Sequence, residues 1–365
     1  MSKIVSISTA VPQYRHEQKN ILAFMQNVYA MNEADKRKLK FLYHQSTINT
    51  RYSVLADYGL QAGQWTFYPA TENLEPFPDL ELRMKWYNKT APQLSQNAIE
   101  KCIDGKITKE EITHLITVSC TGMSAPGLDL QVMEALGLQK NIFRTSVNFM
   151  GCYAAIHALK LADALCNENK NAKILIVCTE LCTLHFQKEN TADNITSSLL
   201  FGDGAAAVLV TNDDYKLNGL HIKNFYSEVS FKGKKDMSWE LSSSGFLMKL
   251  TGYVADLIEE DFNGLVENAL QYSSLNKTDI SHWCIHPGGK KILTSIQKSI
   301  AVTEEALRQS YNVLKNYGNM SSPTILFVLK EIMDELKNKS MPKTNIFGAA
   351  FGPGLTMETF ILSND

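Results

Sequence analysis

Phe149-Met150-Gly151-Cys152-Tyr153-Ala154-Ala155-Ile156-His157-Ala158-Leu159 sets a glycine and a cysteine directly ahead of a helix-forming run. The arrangement returns 167 residues on, where Gly318-Asn319 precedes a second helix pattern. Two further pairs repeat in the same order. Ile112-Thr113-His114-Leu115 is matched by Ile280-Ser281-His282-Trp283 at an offset of 168. Phe201-Gly202-Asp203-Gly204 is matched by Phe351-Gly352-Pro353-Gly354 at an offset of 150, each beside a strand. One such echo is short enough to arise by chance, but three in one order imply a chain made of two similar halves. They predict two like βα lobes side by side, residues 1–214 and 215–365, with Cys152 and Asn319 at equivalent places.

The surrounding pattern agrees. Apolar runs at 116–120, 173–178, 205–210, 283–286 and 358–362 read as strands, and 154–165 and 323–336 as helices. In the second helix Ile325, Val328, Leu329, Ile332 and Leu336 recur at helical spacing. Alternation of this kind predicts an α/β fold. With 365 residues, 44% of them hydrophobic, the chain can bury a large core. A net charge of -2 without a basic, aromatic-studded stripe argues against nucleic acid as a partner. The basic clusters Lys36-Arg37-Lys38-Leu39-Lys40 and Lys290-Lys291 read as solvated faces or ligand contacts. Seven scattered cysteines make no disulfide framework, the first residues lack a signal-peptide core, and no apolar run reaches the ~20 residues of a membrane helix. The expected setting is soluble, reducing and cytoplasmic.

Three residues stand where chemistry is expected. Gly151 permits a tight turn ahead of Cys152, and a thiol at a helix N-terminus is expected to ionise more readily. A small buried cysteine packing a helix start fits the same residues. His286 ends an apolar strand and is followed by Pro287-Gly288-Gly289, which breaks the structure at the sheet end where α/β sites gather. A structural histidine is the competing reading. Asn319 could simply cap the helix that follows, as could Ser321 or Ser322. Cys178, Cys182 and His185 offer ligand types for zinc but lack a fourth ligand at sensible spacing, so no metal is expected. Gly202-Asp203-Gly204 and Gly352-Pro353-Gly354 lack a phosphate-loop lysine and the dinucleotide fingerprint, and read as tight turns.

Taken together, Gly151-Cys152, Phe201-Gly202-Asp203-Gly204-Ala205-Ala206-Ala207, His286-Pro287-Gly288-Gly289, Tyr317-Gly318-Asn319-Met320-Ser321-Ser322 and Phe351-Gly352-Pro353-Gly354-Leu355-Thr356-Met357-Glu358-Thr359 closely resemble the type III polyketide synthases, the chalcone synthase-like branch of the thiolase-fold condensing enzymes. The resemblance implies a layered α-β-α-β-α thiolase fold and a homodimer. It implies Cys152 as acyl-accepting nucleophile, kept as thiolate by His286, with His286 and Asn319 binding the thioester carbonyl of malonyl-CoA. Free CoA thioesters would be the substrates, with no cofactor, no metal and no carrier protein, and a cyclised pyrone, resorcinol or related polyketide the product. Phe201 matches the family's gatekeeping phenylalanine, whereas the second gate is Met248 here. Cys120, Cys182, His185 and Ser321 match cavity-lining positions. Plant members usually carry threonine where Cys120, Cys182 and His185 stand, and a cysteine at position 120 is more like bacterial members. Lys38, Gly288, Gly289 and Lys291 match positions near CoA, although another basic position is replaced by Gln45. Two rivals share the residues: a single-round ketoacyl synthase, which usually shows His-Gln-Ala-Asn instead of His286-Pro287-Gly288-Gly289, and a papain-like Cys-His-Asn hydrolase, whose Cys-Gly-Ser-Cys-Trp context is missing.

Overall fold

A computed structural model describes residues 1–29, 31–337 and 343–364 and places nine strands in one mixed sheet. From edge to edge these are His282–Ile285, Asn345–Gly352, Thr356–Ser363, Leu220–Val229, Ser2–Ala10, Asp203–Asn212, Lys173–Leu181, His114–Ser119 and Phe143–Asn148. The pairing is symmetric about the middle. His114–Ser119 runs parallel to Lys173–Leu181, which is antiparallel to Asp203–Asn212, itself antiparallel to Ser2–Ala10. In the second half His282–Ile285, Asn345–Gly352, Thr356–Ser363 and Leu220–Val229 repeat that order of parallel, antiparallel and antiparallel. Within the sheet the halves are joined through Lys3↔His221 and Ile4↔Leu220.

The echo seen in the sequence has an atomic counterpart. Thr113 Oγ1 meets His114 Nδ1 at 2.8 Å and donates to the carbonyl of Lys173, while Ser281 Oγ meets His282 Nδ1 at 2.9 Å and donates to the carbonyl of Asn345. Each pair follows a short 3₁₀ turn closed by a capping box, Thr108 with Glu111 and Asn276 with Asp279.

Helices Ala154–Glu168 and Thr324–Lys337 explain why both lobes fold as one body. Ile156 and Leu159 of the first share a core with Ile325, Val328, Leu329 and Ile332 of the second and with strands of both halves. Removing such residues from water supplies the favourable term that a small edge-to-edge contact could not. Leu80–Ile103 covers the outer face of the first half and Tyr253–Tyr272 that of the second, with Lys290–Ile300 beside it, giving helix–sheet–helix–sheet–helix layers. Strands such as Lys173–Leu181, apolar along their length, are therefore buried on both faces, as sheets between helix layers must be. Outside this frame, the hairpin Met237–Ser242 with Gly245–Leu250 contributes Met237, Trp239, Phe246, Met248 and Leu250 to a cavity described next.

Candidate active site

Phe143–Asn148 ends in a turn that delivers Cys152. Phe149 and Gly151 both take left-handed backbone conformations, with φ of 61° and 88°. A Cβ on Gly151 would lie 2.5 Å from Pro353 Cδ, so glycine is required there by space as well as by φ. Phe149 pays for its strained geometry with a hydrogen bond from its N–H to the Ser119 carbonyl and an edge-to-face contact with Phe246 at 5.1 Å. Cys152 follows, two residues ahead of helix Ala154–Glu168 and 9% exposed. The sequence led to the expectation of a readily ionised thiol at a helix start. Instead, burial pushes its pKa up to about 11, and hydrogen bonding from Ser321 and Asn319 offsets this only in part.

His286 stands one residue past His282–Ile285, its N–H continuing the ladder to the Ala349 carbonyl at 2.8 Å. The ring is 1% exposed, and burial pulls its pKa down to about 3. Among the described residues neither ring nitrogen has a hydrogen-bond partner, Cys152 Sγ included. Burial thus favours the neutral imidazole, with both nitrogens open to a partner.

Asn319 does not cap the following helix. Gly318, with φ of 69°, presses the chain onto Leu200, and Asn319 N–H donates to the Leu200 carbonyl while Gly202 N–H donates to the Asn319 carbonyl, both at 2.9 Å. A parallel bridge pairs Phe201 with Asn319 across the two halves. Asn319 Oδ1 accepts from Ser321 N–H at 2.8 Å, which turns the amide NH2 toward the cavity, where it donates to the Gly288 carbonyl at 3.4 Å and to the Cys152 thiol.

Cys152, His286 and Asn319 line one cavity. Every sequence-derived substrate position lies on its wall: Phe201, Met248, Cys120, Cys182, His185 and Ser321. The CoA positions divide. Gly288 lines the cavity, and Gly289 packs near Leu200. Lys38 is exposed on helix Glu33–Gln45, away from the wall. Lys291 is turned aside, its Nζ on the Gly252 carbonyl at 2.9 Å and paired with Asp256 at 3.0 Å.

His185 is spent structurally. Its Nε2 donates to the Thr121 carbonyl at 2.7 Å, its Nδ1 accepts from Phe246 N–H at 3.1 Å, and its ring stacks on Phe246 at 4.2 Å. Burial takes its pKa to about 3, so it is neutral with no polar atom left over. Glu180 was overlooked because the segment around it was weighed only for zinc. It is fully buried behind Cys120, accepting from Cys120 N–H at 2.9 Å, Thr121 Oγ1 at 2.7 Å and Ser322 Oγ at 2.6 Å. Cys120 Sγ lies 3.2 Å from Glu180 Oε1 and 3.3 Å from Ser321 Oγ, linking the carboxyl to the cavity, and burial raises the carboxyl's pKa. Trp239, also overlooked, donates to the Cys120 carbonyl at 2.7 Å and walls the same end.

The sequence profile of "Chalcone and stilbene synthases, N-terminal domain" matches residues 1–214, and that of the C-terminal domain matches residues 226–364. The chain belongs to the chalcone and stilbene synthase family. It is a type III polyketide synthase, an acyltransferase-type condensing enzyme that uses malonyl-CoA. "Type III polyketide synthase C" of Arabidopsis thaliana is 28% identical over 99% of this chain and 94% of its own length. "Probable polyketide synthase 1" of Dictyostelium discoideum is 31% identical across the whole chain, which spans only 11% of that much longer relative. Among solved structures, PKS-I of the brown alga Ectocarpus siliculosus superposes with a TM-score of 0.93 at 26% identity, covering 100% of this synthase and 98% of the algal chain. The C-terminal type III domain of Steely1, a type I/III hybrid from Dictyostelium, gives 0.91 at 28%, covering 100% and 99%. The layered architecture of the synthase is therefore the thiolase fold. Among the described residues, no helix is long and apolar enough to cross a membrane.

Proposed function

We propose that Cys152 carries the growing acyl chain and that His286 and Asn319 bind the thioester carbonyl of malonyl-CoA. The observation that supports this most is the pair of buried, unpartnered nitrogens on His286, in the cavity that holds Cys152 and the amide NH2 of Asn319. Buried polar atoms without partners are costly unless a ligand completes them. A carbonyl oxygen accepting from both side chains would do so, and the interaction strengthens as loss of carbon dioxide turns that oxygen into an enolate. The enolate carbon attacks the thioester carbonyl on Cys152, expelling the cysteine as thiolate, and the lengthened chain, now on CoA, can exchange back onto Cys152. Because burial disfavours both the thiolate and the imidazolium, loading requires transfer of the Cys152 proton, for which the unprotonated nitrogen of His286 is the base at hand. Gly288 and Gly289 would pass the CoA arm. Lys38, exposed and without an ion-pair partner among the described residues, would meet its phosphates, whereas Lys291 would first have to leave Asp256.

The starter is an aliphatic acyl group and the product a cyclised pyrone, resorcinol or related compound. Met248, Met237, Ile21 and Met25 line the cavity with adaptable apolar surface, and His185 has no hydrogen bond to offer a phenol. Each buried methylene contributes roughly 0.8 kcal/mol. With malonyl-CoA and acyl-CoAs of increasing length, kcat/KM is expected to rise and then level off as the pocket fills, with product masses showing the units added. Coumaroyl-CoA outcompeting every aliphatic starter would overturn this.

The protein acts as a homodimer. Phe143–Asn148 is an edge strand with one side unpaired, Phe143 on it is 73% exposed, and Met123 in the loop after the neighbouring strand is 50% exposed. Exposed edges and large apolar side chains are normally covered. Light scattering should give twice the chain mass at micromolar concentration, and Phe143→Asp should give a monomer; a monomeric wild type would refute it. Seven free cysteines fit a reducing cytoplasm. A bacterial affinity rests on Cys120 alone.

A further inference from the structure

Arg51, in the strand Thr50–Ser53, is 3% exposed and, among the described residues, has no carboxylate in direct contact; Tyr43 and the more distant Asp203 favour its charge only in part against the cost of burial. A buried cation without a contact ion pair is expensive, so further groups must offset its charge. Its guanidinium lies at the C-terminal end of helix Ala192–Leu200. Nη1 donates to the carbonyl of Phe201, the residue that caps this helix, at 2.5 Å, and Nε donates to Gln18 Oε1 at 3.0 Å. Gln18 Nε2 in turn donates to the Leu199 carbonyl at 2.9 Å. Two of the carbonyls that a helix end leaves without partners are satisfied in this way, and the cation faces the negative end of the helix dipole.

The stem of the side chain is held as closely as its head. A Cβ on Gly318 would lie 2.8 Å from Arg51 Cδ and 2.9 Å from Cγ, and one on Gly202 would lie 3.4 Å from Arg51 Cβ. These glycines flank the paired residues Phe201 and Asn319, so Arg51 passes through space that the two glycine positions leave open. Asn319 N–H rests on the carbonyl of Leu200, the last residue of the same helix.

We infer that Arg51 is a positioning residue, which clamps the Leu200-Phe201-Gly202 backbone and thereby aims the Asn319 amide at the carbonyl of malonyl-CoA. It acts through its neighbours and touches no reacting atom. The inference rests on the role proposed above for Asn319.

The test compares Arg51→Met, Arg51→Lys and Asn319→Ala in the full chain. Three quantities are measured: carbon dioxide release from malonyl-CoA, acylation of Cys152 by an acyl-CoA, and thermal melting. Arg51→Met should lower kcat for decarboxylation roughly tenfold, about 1.36 kcal/mol of lost transition-state stabilisation, while KM and acylation stay near wild type. Arg51→Lys, which keeps the charge but not the fork, should fall between. Wild-type kcat in Arg51→Met, or in a normally melting Arg51→Lys if the methionine variant does not fold, would overturn the inference while Asn319→Ala remains impaired. Parallel loss of acylation, decarboxylation and melting temperature would also overturn it, by showing a structural role only. Wild-type decarboxylation by Asn319→Ala would instead remove the reading on which it rests.

Discussion

Alanine at His286 or at Asn319 is expected to lower carbon dioxide release from malonyl-CoA by roughly 10²- to 10³-fold, the loss seen when one preorganised donor to a developing oxyanion is removed. The two variants should differ in cause. His286→Ala removes a group whose burial is already complete, so no local hydrogen bond is broken and the enzyme should melt normally. Asn319→Ala also deletes the acceptor of Ser321 N–H, a buried contact worth about 1–3 kcal/mol, and should melt earlier. The measurement is release of labelled carbon dioxide alongside calorimetric melting. Undiminished release from either variant would remove that residue from the proposed enolate site.

Cys152→Ala should abolish the acyl adduct and lower condensation by roughly 10⁴-fold or more, since nothing replaces a lost nucleophile. It should nevertheless keep most of its malonyl-CoA decarboxylation, because enolate stabilisation is assigned to the other two residues. Intact-protein mass after acyl-CoA treatment tests the first claim, and an adduct on Cys120 or Cys182 would refute it. The pH dependence is a separate check on the thiol. With its pKa near 11 and His286 neutral, the thiolate fraction at Cys152 should grow about tenfold per pH unit through neutrality, and alkylation by iodoacetamide should climb with it. A plateau already reached by pH 7 would mean that an imidazolium–thiolate pair exists at rest.

How much of this was legible beforehand can be judged from particular residues. The strands expected at 173–178 and 205–210 fall within Lys173–Leu181 and Asp203–Asn212, because apolar runs bounded by turn residues report burial on both faces directly. Phe143–Asn148 was not found, since Phe-Arg-Thr-Ser-Val-Asn shows no clean alternation and nearly all of it is exposed at the sheet edge. The hairpin carrying Trp239 and Met248 was not recognised as an element, although Met248 itself was placed on the cavity wall. Its inward side chains alternate, but Ser243-Ser244 and the lysines nearby read as loop.

The sequence alone pointed to the two-half pattern, the α/β class, the family and several of the residues on the cavity wall. Each of these rests on local information: a glycine that permits a left-handed turn, a period of two or of 3.6, a motif of contiguous residues. Tertiary structure alone decided the charge states and the free hydrogen-bonding capacity. Burial pushes the Cys152 thiol's pKa up despite its helix start, His185 has no donor or acceptor to spare, Lys291 is paired with Asp256, and Glu180 and Arg51 lie close to the cavity wall. Desolvation and partner choice depend on atoms brought together from segments far apart in the chain. For Arg51 these are the segments around residues 18, 200 and 318, and no local pattern at any one of them reports the other two.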